Sequence, residues 1–322
     1  MPWLLRLLPG VLLAVAVSTA AMAKGAVLVM NSGDATLSVV DMAQHREVRR
    51  IPVLREPHHW ALAPGGRELM VGDTVGNELF VLDPDTFALR RRVACADPYQ
   101  LGYSPDGKFL TVNGLARNQV DIYDAATLKL VRRFPLRSMP SHLTYAPDSS
   151  RVFITLQGTG RLAAIDLHTM KLLWDVSVGR VPAGTLWLHG RVLVALMGED
   201  SFAVVDPATG RTERRVHTGK GAHQLFLSPD GRTLWVNNRV AGTTMALDAA
   251  SFAVKHTYSV PGGPDDIAFA PDGKLWLTLR FARKVGVLDP ATGDVQTIDV
   301  GRSPHGIFLN PRAEPAAQAS AE

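Results

Sequence analysis

Short apolar runs alternate with polar turn residues along the chain, and one such run recurs seven times. Each copy ends in aspartate, as in "LSVVD" and "LFVLD". The seven aspartates are spaced 40 to 42 residues apart and are Asp41, Asp83, Asp124, Asp166, Asp206, Asp248 and Asp289. Short runs bounded by turn residues predict β-strands rather than helices. A repeat of this length predicts one supersecondary unit per copy.

Each unit resolves into four predicted strands. In residues 98–135 the strands are "YQLGYS", "FLTVN", "VDIYD" and "LVRRFPL", and the turn "PDGK" joins the first two. Four short strands in a repeat of this length are typical of a β-propeller blade. Because the terminal aspartate occurs in every copy, we interpret it as structural, with its side chain capping the following turn.

The two ends of the chain predict how the ring closes. The N-terminal stretch "AVLVMN" matches the second strand of a unit, and a third and a fourth strand follow it. The first strand of that unit is missing there, but "HGIFLN" near the C-terminus matches it. The sequence therefore predicts an all-β, seven-bladed propeller of four-stranded blades over residues 24–311. The N-terminal strands pair with the C-terminal strand, which removes the exposed sheet edges.

The units resemble the YVTN family of bacterial β-propeller repeats. The resemblance is carried by "SPDGRTLWVNN" at 228–238, "GVLDPATG" at 286–293 and "VGRSPHG" at 300–306. A more distant resemblance extends to the cytochrome d1-haem propeller superfamily. Both imply a propeller over nearly the whole chain and leave the function open, because one fold hosts many functions.

Composition and the chain ends bear on location and partners. The net charge is +4 over 322 residues and the arginines are scattered, which argues against nucleic-acid binding. Residues 1–23 have the pattern of a signal peptide, with an apolar stretch and the cleavage motif "AMA". We therefore expect a periplasmic protein without a membrane span after cleavage. The polar tail, 312–322, is predicted to be disordered.

Candidate metal ligands follow the start of the first strand in neighbouring blades. Loops that enter first strands lie on one face of a propeller, where equivalent positions converge on the channel axis. These residues are His58, His223, Asp265 and His305. Imidazole and carboxylate groups bind zinc, copper or iron, and an imidazole can ligate haem iron. With an ordinary imidazole pKa, metal affinity is expected to fall below about pH 6.

Further candidates for ligand binding come from two other positions on the same face. The residue after the metal column gives His59 and His142, and the loops after second strands give Asn31, Asp73, Asn113, Asn238, Arg239 and Arg280. Paired guanidinium groups suit a carboxylate or phosphate ligand. Two alternatives stay open: the arginines bridge blades through Asp265 or Asp266, or the whole set is a solvated polar lining.

The sequence predicts a monomeric binding protein with a site for a small ligand, a metal or a periplasmic protein over the channel. It lacks G-x-S-x-G, H-E-x-x-H and Walker A motifs, which argues against several enzyme classes. One alternative is a hydrolase or lyase resembling seven-bladed lactonases, in which a channel histidine acts as general base. Another is a periplasmic interaction scaffold.

Overall fold

The computed structural model describes residues 25–53 and 55–315. In these residues the chain forms 28 β-strands in seven four-stranded antiparallel sheets. None of the residues described forms a helix that is long and apolar enough to cross a membrane. The predicted signal peptide, 1–23, lies outside this part of the chain. The predicted seven-bladed all-β propeller is confirmed.

The strands are numbered in chain order and grouped by their position in a blade. The first strands are β4 (Pro57–Leu62), β8 (Gln100–Tyr103), β12 (Pro140–Tyr145), β16 (Pro182–Leu188), β20 (Ala222–Leu227), β24 (Pro264–Phe269) and β28 (Pro304–Asn310). The second strands are β1 (Ala26–Asn31), β5 (Leu69–Asp73), β9 (Phe109–Gly114), β13 (Arg151–Leu156), β17 (Arg191–Leu196), β21 (Thr233–Asn238) and β25 (Leu275–Leu279). The third strands are β2 (Thr36–Asp41), β6 (Glu78–Leu82), β10 (Gln119–Asp124), β14 (Arg161–Asp166), β18 (Ser201–Val205), β22 (Thr243–Asp248) and β26 (Lys284–Leu288). The fourth strands are β3 (Arg46–Pro52), β7 (Leu89–Ala94), β11 (Leu130–Phe134), β15 (Lys171–Ser177), β19 (Thr212–His217), β23 (Val254–Ser259) and β27 (Val295–Asp299).

Blades 1 to 6 each use four consecutive strands, beginning with β4, and blade 7 combines β28 with β1, β2 and β3. In blade 7, Val27 of β1 pairs with Leu309 and Leu28 pairs with Phe308. The predicted closure by the two chain ends is therefore confirmed. The first strands of neighbouring blades contact one another around the ring, which places them innermost.

The core lies between blades and follows the strand order. Second strands such as β1 and β5 are buried along their whole length, whereas fourth strands such as β7 ("LRRRVA") are mostly exposed. One cluster packs Leu28 and Phe308 of blade 7 against Val71 and Phe80 of blade 1. Full burial of such a side chain contributes about 1.5–3 kcal/mol. Hydrophobic packing therefore joins the two blades that contain the chain ends.

The repeated aspartates cap turns, as predicted. Asp206 Oδ1 accepts backbone N–H bonds from Ala208 and Thr209, at 2.9 and 2.8 Å. The other six aspartates also accept a backbone N–H bond two or three residues further along the chain. Seven equivalent caps stabilise seven equivalent turns and leave these carboxylates a structural role.

The packed structure continues past the expected boundary at residue 311. Ala313 is fully buried, and its carbonyl oxygen accepts a hydrogen bond from the Gly25 N–H at 3.0 Å. The Glu314 N–H donates to the Asp85 carbonyl at 2.9 Å. The start of the predicted disordered tail is thus tied to both blade 7 and blade 1. Its remainder, 316–322, lies outside the described residues.

Candidate functional site

The candidate site lies where the first strands begin. In six of the seven blades the pairing of the first strand with the second shifts register at this point. In blade 1 the shift falls between Pro57 and Trp60, so that His58 and His59 escape the regular alternation of a strand. Both imidazoles contact residues of other blades at the axis. The two neighbouring columns of residues named from the sequence therefore converge on one site.

Five histidines from four blades form a single cluster there. The ring centroid of His305 lies 3.7 Å from that of His58 and 4.5 Å from that of His59. His142 extends the cluster, with its centroid 5.3 Å from His59 and 5.4 Å from His223. All five side chains are at most 4% exposed. The other histidines of the described chain lie outside this cluster.

Two groups of three side chains could each hold a metal ion. One consists of His58, His59 and His305, and the other of His223, Asp265 and His305. Within each group the ligand atoms lie within 4.8 Å of one another. His305 belongs to both groups. The four predicted metal ligands are therefore close together, but they are divided between two groups.

The second group is already engaged by an arginine. His223 Nδ1 lies 2.6 Å from Asp265 Oδ1, and Arg239 Nη2 lies 2.6 Å from His223 Nε2. The same guanidinium group donates hydrogen bonds to Asp265 Oδ1. Both ring nitrogens of His223 therefore have polar neighbours. A metal ion at this position would have to displace a buried ion pair.

The first group offers buried nitrogen atoms without a partner. His58 Nδ1, His59 Nε2 and His305 Nδ1 have no hydrogen-bond partner among the described residues, and His142 Nε2 beside them has none either. Buried polar atoms are normally hydrogen-bonded, so these four nitrogens need an explanation. His223 Nδ1 also lacks a well-directed hydrogen bond, but Asp265 Oδ1 lies only 2.6 Å from it. The four nitrogens are the donor atoms that a transition metal prefers.

Oxygen atoms face the opposite ring nitrogens of three of these histidines. His142 Nδ1 lies 2.7 Å from Ser141 Oγ, His305 Nε2 lies 3.5 Å from Asp265 Oδ2, and His59 Nδ1 lies 3.8 Å from Asp266 Oδ2. Metal-binding histidines commonly present their second nitrogen to such an oxygen, which orients the ring and fixes its tautomer. Of these three contacts, the one between His142 and Ser141 is a hydrogen bond, and the two aspartates act on His305 and His59 only at longer range.

The two adjacent aspartates differ in charge. Burial by itself raises the pKa of Asp265, but His223, Arg239 and Arg280 hold that pKa well below its usual range. Burial and the neighbouring Asp265 charge raise the pKa of Asp266 well above its usual range. At neutral pH, Asp265 is therefore ionised and Asp266 is a neutral acid.

The five imidazoles are neutral at the same pH. Burial lowers the pKa of each, that of His59 to about 3. Neutral imidazole is the form that ligates metal ions. With two arginines and one ionised aspartate, the inner site carries one surplus positive charge.

The predicted polar residues after the second strands have mainly structural contacts. Asn31 donates to Ser38 Oγ at 2.8 Å and accepts from the Gly301 N–H at 3.1 Å. The Asp73 carboxylate accepts three backbone N–H bonds, each 2.8 Å long. Asn113 donates to the Ser141 carbonyl at 2.9 Å, and Asn238 donates to Thr243 Oγ1 at 3.2 Å. These contacts hold loops and neighbouring blades together around the site.

Arg239 and Arg280 do reach the site. Arg280 Nη1 lies 3.4 Å from Asp265 Oδ2, on the other carboxylate oxygen from the one that Arg239 contacts. The Arg280 side chain is 22% exposed and the Arg239 side chain is 15% exposed. Both therefore lie at the mouth of the site, and the histidines lie below them. Arg239 of blade 5 reaches Asp265 of blade 6, as the blade-bridging alternative holds, whereas Arg280 contacts Asp265 within blade 6.

Sequence reasoning missed Tyr99 and the role of Asp266. The Tyr99 ring lies against His58, with centroids 4.1 Å apart. Tyr99 stands in the same column as His58 and His305, so the column itself contained the signal. Asp266 shares the column of His59 and His142, but its protonation follows from burial, which the repeat pattern does not show.

The site can be compared with known proteins. A family model described as YNCE-like beta-propeller matches residues 3–314. No curated protein matches the sequence significantly. The predicted resemblance to bacterial repeat propellers is confirmed by this family model, and the solved structures below show the likeness of fold.

Three solved structures show the likeness of fold. The periplasmic gluconolactonase PpgL of Pseudomonas aeruginosa is 21% identical, with a TM-score of 0.71 over 88% of this chain and 98% of that chain. A functionally unknown protein from Desulfotomaculum acetoxidans is 13% identical, with a TM-score of 0.75 over 88% and 98%. The dihydro-heme d1 dehydrogenase NirN is 14% identical, with a TM-score of 0.63 over 89% and 75%. At these identities the likeness is one of fold alone, and the lactonase alternative stays a prediction.

Proposed function

We propose that this chain, which belongs to the YNCE-like beta-propeller family, is an exported protein that binds one transition-metal ion at the axis of its ring. The observation that carries the proposal is the set of four buried imidazole nitrogens without a partner on His58, His59, His142 and His305. Zinc, copper and iron all suit imidazole ligands, and Cu²⁺ is expected to bind most tightly of the divalent ions.

The proposed ligands differ in part from those expected from the sequence. His58 and His305 stay and His59 joins them, because Arg239 engages His223 and Asp265. His142 lies beside these three ligands but outside their group, with its ring centroid 5.3 Å from that of His59. Asp265 then acts on the metal only through His305, whose Nε2 it faces. The same imidazole set could ligate a haem iron, which an absorption spectrum of the native protein would reveal.

Metal titration of the protein without residues 1–23 tests the proposal. After EDTA treatment, we expect one Cu²⁺ or Zn²⁺ per chain by calorimetry and elemental analysis. Metal at a hundredfold excess over Kd should stabilise the fold by about 2.7 kcal/mol. His59→Ala and His305→Ala should each weaken binding at least about tenfold.

Two controls separate the metal site from general effects. His217 is exposed on β19, and His217→Ala should bind metal like the wild type. His223→Ala should keep its ion within a few-fold, because His223 lies in the arginine-engaged group. Equal binding by wild type and His305→Ala would refute the proposal, and loss of metal in His223→Ala alone would place the ion in the other group.

Export to the periplasm is the second part of the proposal. It is supported by the signal pattern in residues 1–23, and the similar PpgL is described as periplasmic. N-terminal sequencing of the native protein should give a mature chain starting near Lys24. A retained Met1 in a cytoplasmic fraction would contradict it.

A further inference from the structure

The mouth of the site over blades 5 and 6 has a repeated feature that the metal proposal leaves unused. After the second strand, blade 5 reads Arg239–Val240 and blade 6 reads Arg280–Phe281. In each pair the arginine contacts Asp265 and the apolar residue is exposed. The corresponding loops of the other blades lack this arginine–apolar pair.

The two apolar side chains are the most exposed large hydrophobic residues of the described chain. Val240 is 69% exposed and Phe281 is 64% exposed. Each loses contact with water only if something binds above it. Exposed apolar surface rimmed by polar groups is a feature of binding sites.

Both apolar side chains lie against glycines, where the absence of a Cβ atom leaves room for them. A Cβ atom at Gly263 would lie 2.5 Å from Phe281 Cδ2, and one at Gly221 would lie 2.6 Å from Val240 Cγ2. Both glycines also have positive φ, at 76° and 73°. Gly263 stands two residues before Asp265 and Gly221 two residues before His223. The apolar side chains thus rest directly on the segments that lead into the charged site.

The charge balance of the mouth favours an anion. Two guanidinium groups share the carboxylate of Asp265, one on each carboxylate oxygen. Arg280 makes the looser contact, at 3.4 Å, and is the more exposed of the two. A planar guanidinium group binds a carboxylate with two parallel hydrogen bonds. Arg280 is therefore the group best placed to take one.

We propose that this mouth binds a small organic carboxylate, with its charged group against Arg280 and Arg239 and its apolar body against Phe281 and Val240. The site needs only these residues, so it is independent of the metal ion below. A bound metal would add a second attraction for the same anion.

Binding of 2-naphthoate, benzoate and decanoate to the EDTA-treated protein tests the proposal, with the neutral amide 2-naphthamide as the matched probe. At pH 7 we expect saturable one-to-one binding of at least one carboxylate. We expect 2-naphthoate to bind about tenfold more tightly than 2-naphthamide, because only the ion pairs with arginine.

Substitutions test which residues bind the charged group of the ligand and which bind its apolar body. Arg280→Gln should weaken 2-naphthoate about tenfold and leave 2-naphthamide unchanged, and Arg280→Lys should fall between. Phe281→Ala should weaken both probes, and its exposed side chain makes the variant safe for folding. Arg283→Gln, an exposed arginine three residues beyond Arg280, is the control and should bind like the wild type.

Three outcomes would overturn the proposal. They are the absence of saturable binding by all three carboxylates, equal affinity for the acid and the amide, and unchanged affinity in Phe281→Ala. Because the protein is free of metal in this experiment, the result for carboxylate binding is valid even if the metal proposal fails. If Arg280→Gln fails to fold, the acid–amide comparison and Phe281→Ala still decide.

Discussion

Asp265 and Asp266 are neighbours in the chain with different protonation states. Asp265 is fully buried and ionised between two guanidinium groups, whereas Asp266 is buried as the neutral acid. Asp265→Asn would leave those arginines without their counter-charge, and we expect it to lower the free energy of unfolding by about 3–5 kcal/mol. Asp266→Asn replaces one neutral group by another and should cost less than about 1 kcal/mol. Urea unfolding at pH 7 compares the two, and equal losses would contradict this assignment of charge.

The buried histidines make the metal-free fold sensitive to acid. Burial lowers their pKa in the folded protein, whereas in the unfolded chain it is about 6.5. Below pH 6.5 the unfolded chain takes up protons that the folded protein does not. The free energy of unfolding therefore falls as the pH drops from about 6.5 towards 3, by about 1.4 kcal/mol per pH unit for each such proton.

Asp266 offsets part of this loss of free energy of unfolding. Its pKa is raised in the folded protein, so the folded protein binds one proton there that the unfolded chain does not. Its contribution grows as the pH falls through the raised pKa and levels off near the unfolded value of about 3.9. Urea unfolding of EDTA-treated protein between pH 7.5 and 5 should show the net loss. His142→Gln should reduce the slope of this loss by about one proton, and a flat profile would contradict the assignment of neutral imidazoles to the cluster. The lowered pKa values also move the expected loss of metal affinity below the pH of about 6 given by an ordinary imidazole.

At the scale of the element, the first strands approach one another closely beside the cluster. A Cβ atom at Gly306 would lie 2.7 Å from the His58 carbonyl oxygen and 2.9 Å from Met30 Sδ. Gly306→Ala must therefore push β28 away from β4, and we expect a loss of about 1–3 kcal/mol together with weaker metal binding.

Gly286→Ala is the matched control for this change. The three atoms nearest to its Cβ atom would be side-chain atoms of Leu279 and Val295, at 3.3 to 3.6 Å. It should cost less in thermal melting and leave metal binding unchanged. If both variants behaved alike, close backbone approach at β28 would not be what positions His58 and His305.

The strands themselves were predictable from the sequence, but their local irregularity was not. The repeated turns and terminal aspartates place each strand in its blade. The register shift at Pro57–Trp60 depends on how β4 pairs with β5. A proline stands at five of the six such shifts, but Pro98 precedes β8 without one, so proline alone does not predict the shift. Strand alternation alone allows only one of His58 and His59 to face the axis. The engagement of His223 by Arg239 was likewise hidden, because it depends on the distance between two loops.

At the scale of the molecule, the number of blades and the closure followed from counting strands at both chain ends. The closure predicts graded effects of truncation. A chain that ends at Arg302 lacks β28 and exposes the fully buried strand β1 as an open edge. We expect it to lose cooperative folding. A chain that ends at Pro315 keeps every described contact and should melt like the full chain.

A third truncation tests the segment beyond the predicted boundary. Ending the chain at Pro311 removes the buried Ala313 and the Glu314–Asp85 hydrogen bond. We expect a melting temperature between those of the other two, lowered by the loss of about 1 kcal/mol. Circular dichroism melts of the three chains would show the order, and equal melting of the Arg302 and Pro315 chains would rule out closure through β28.

The position of His305 on the last strand also sets the order in which the protein matures. Synthesis delivers the chain from its N-terminus, so His58, His59, His142 and His223 emerge before the strand that joins them. Until β28 pairs with β1, these four imidazoles lie along an incomplete arc. An ion captured early by that arc would lack the ligand shared by both groups and would be held weakly. Loading of the site would therefore report that the ring has closed.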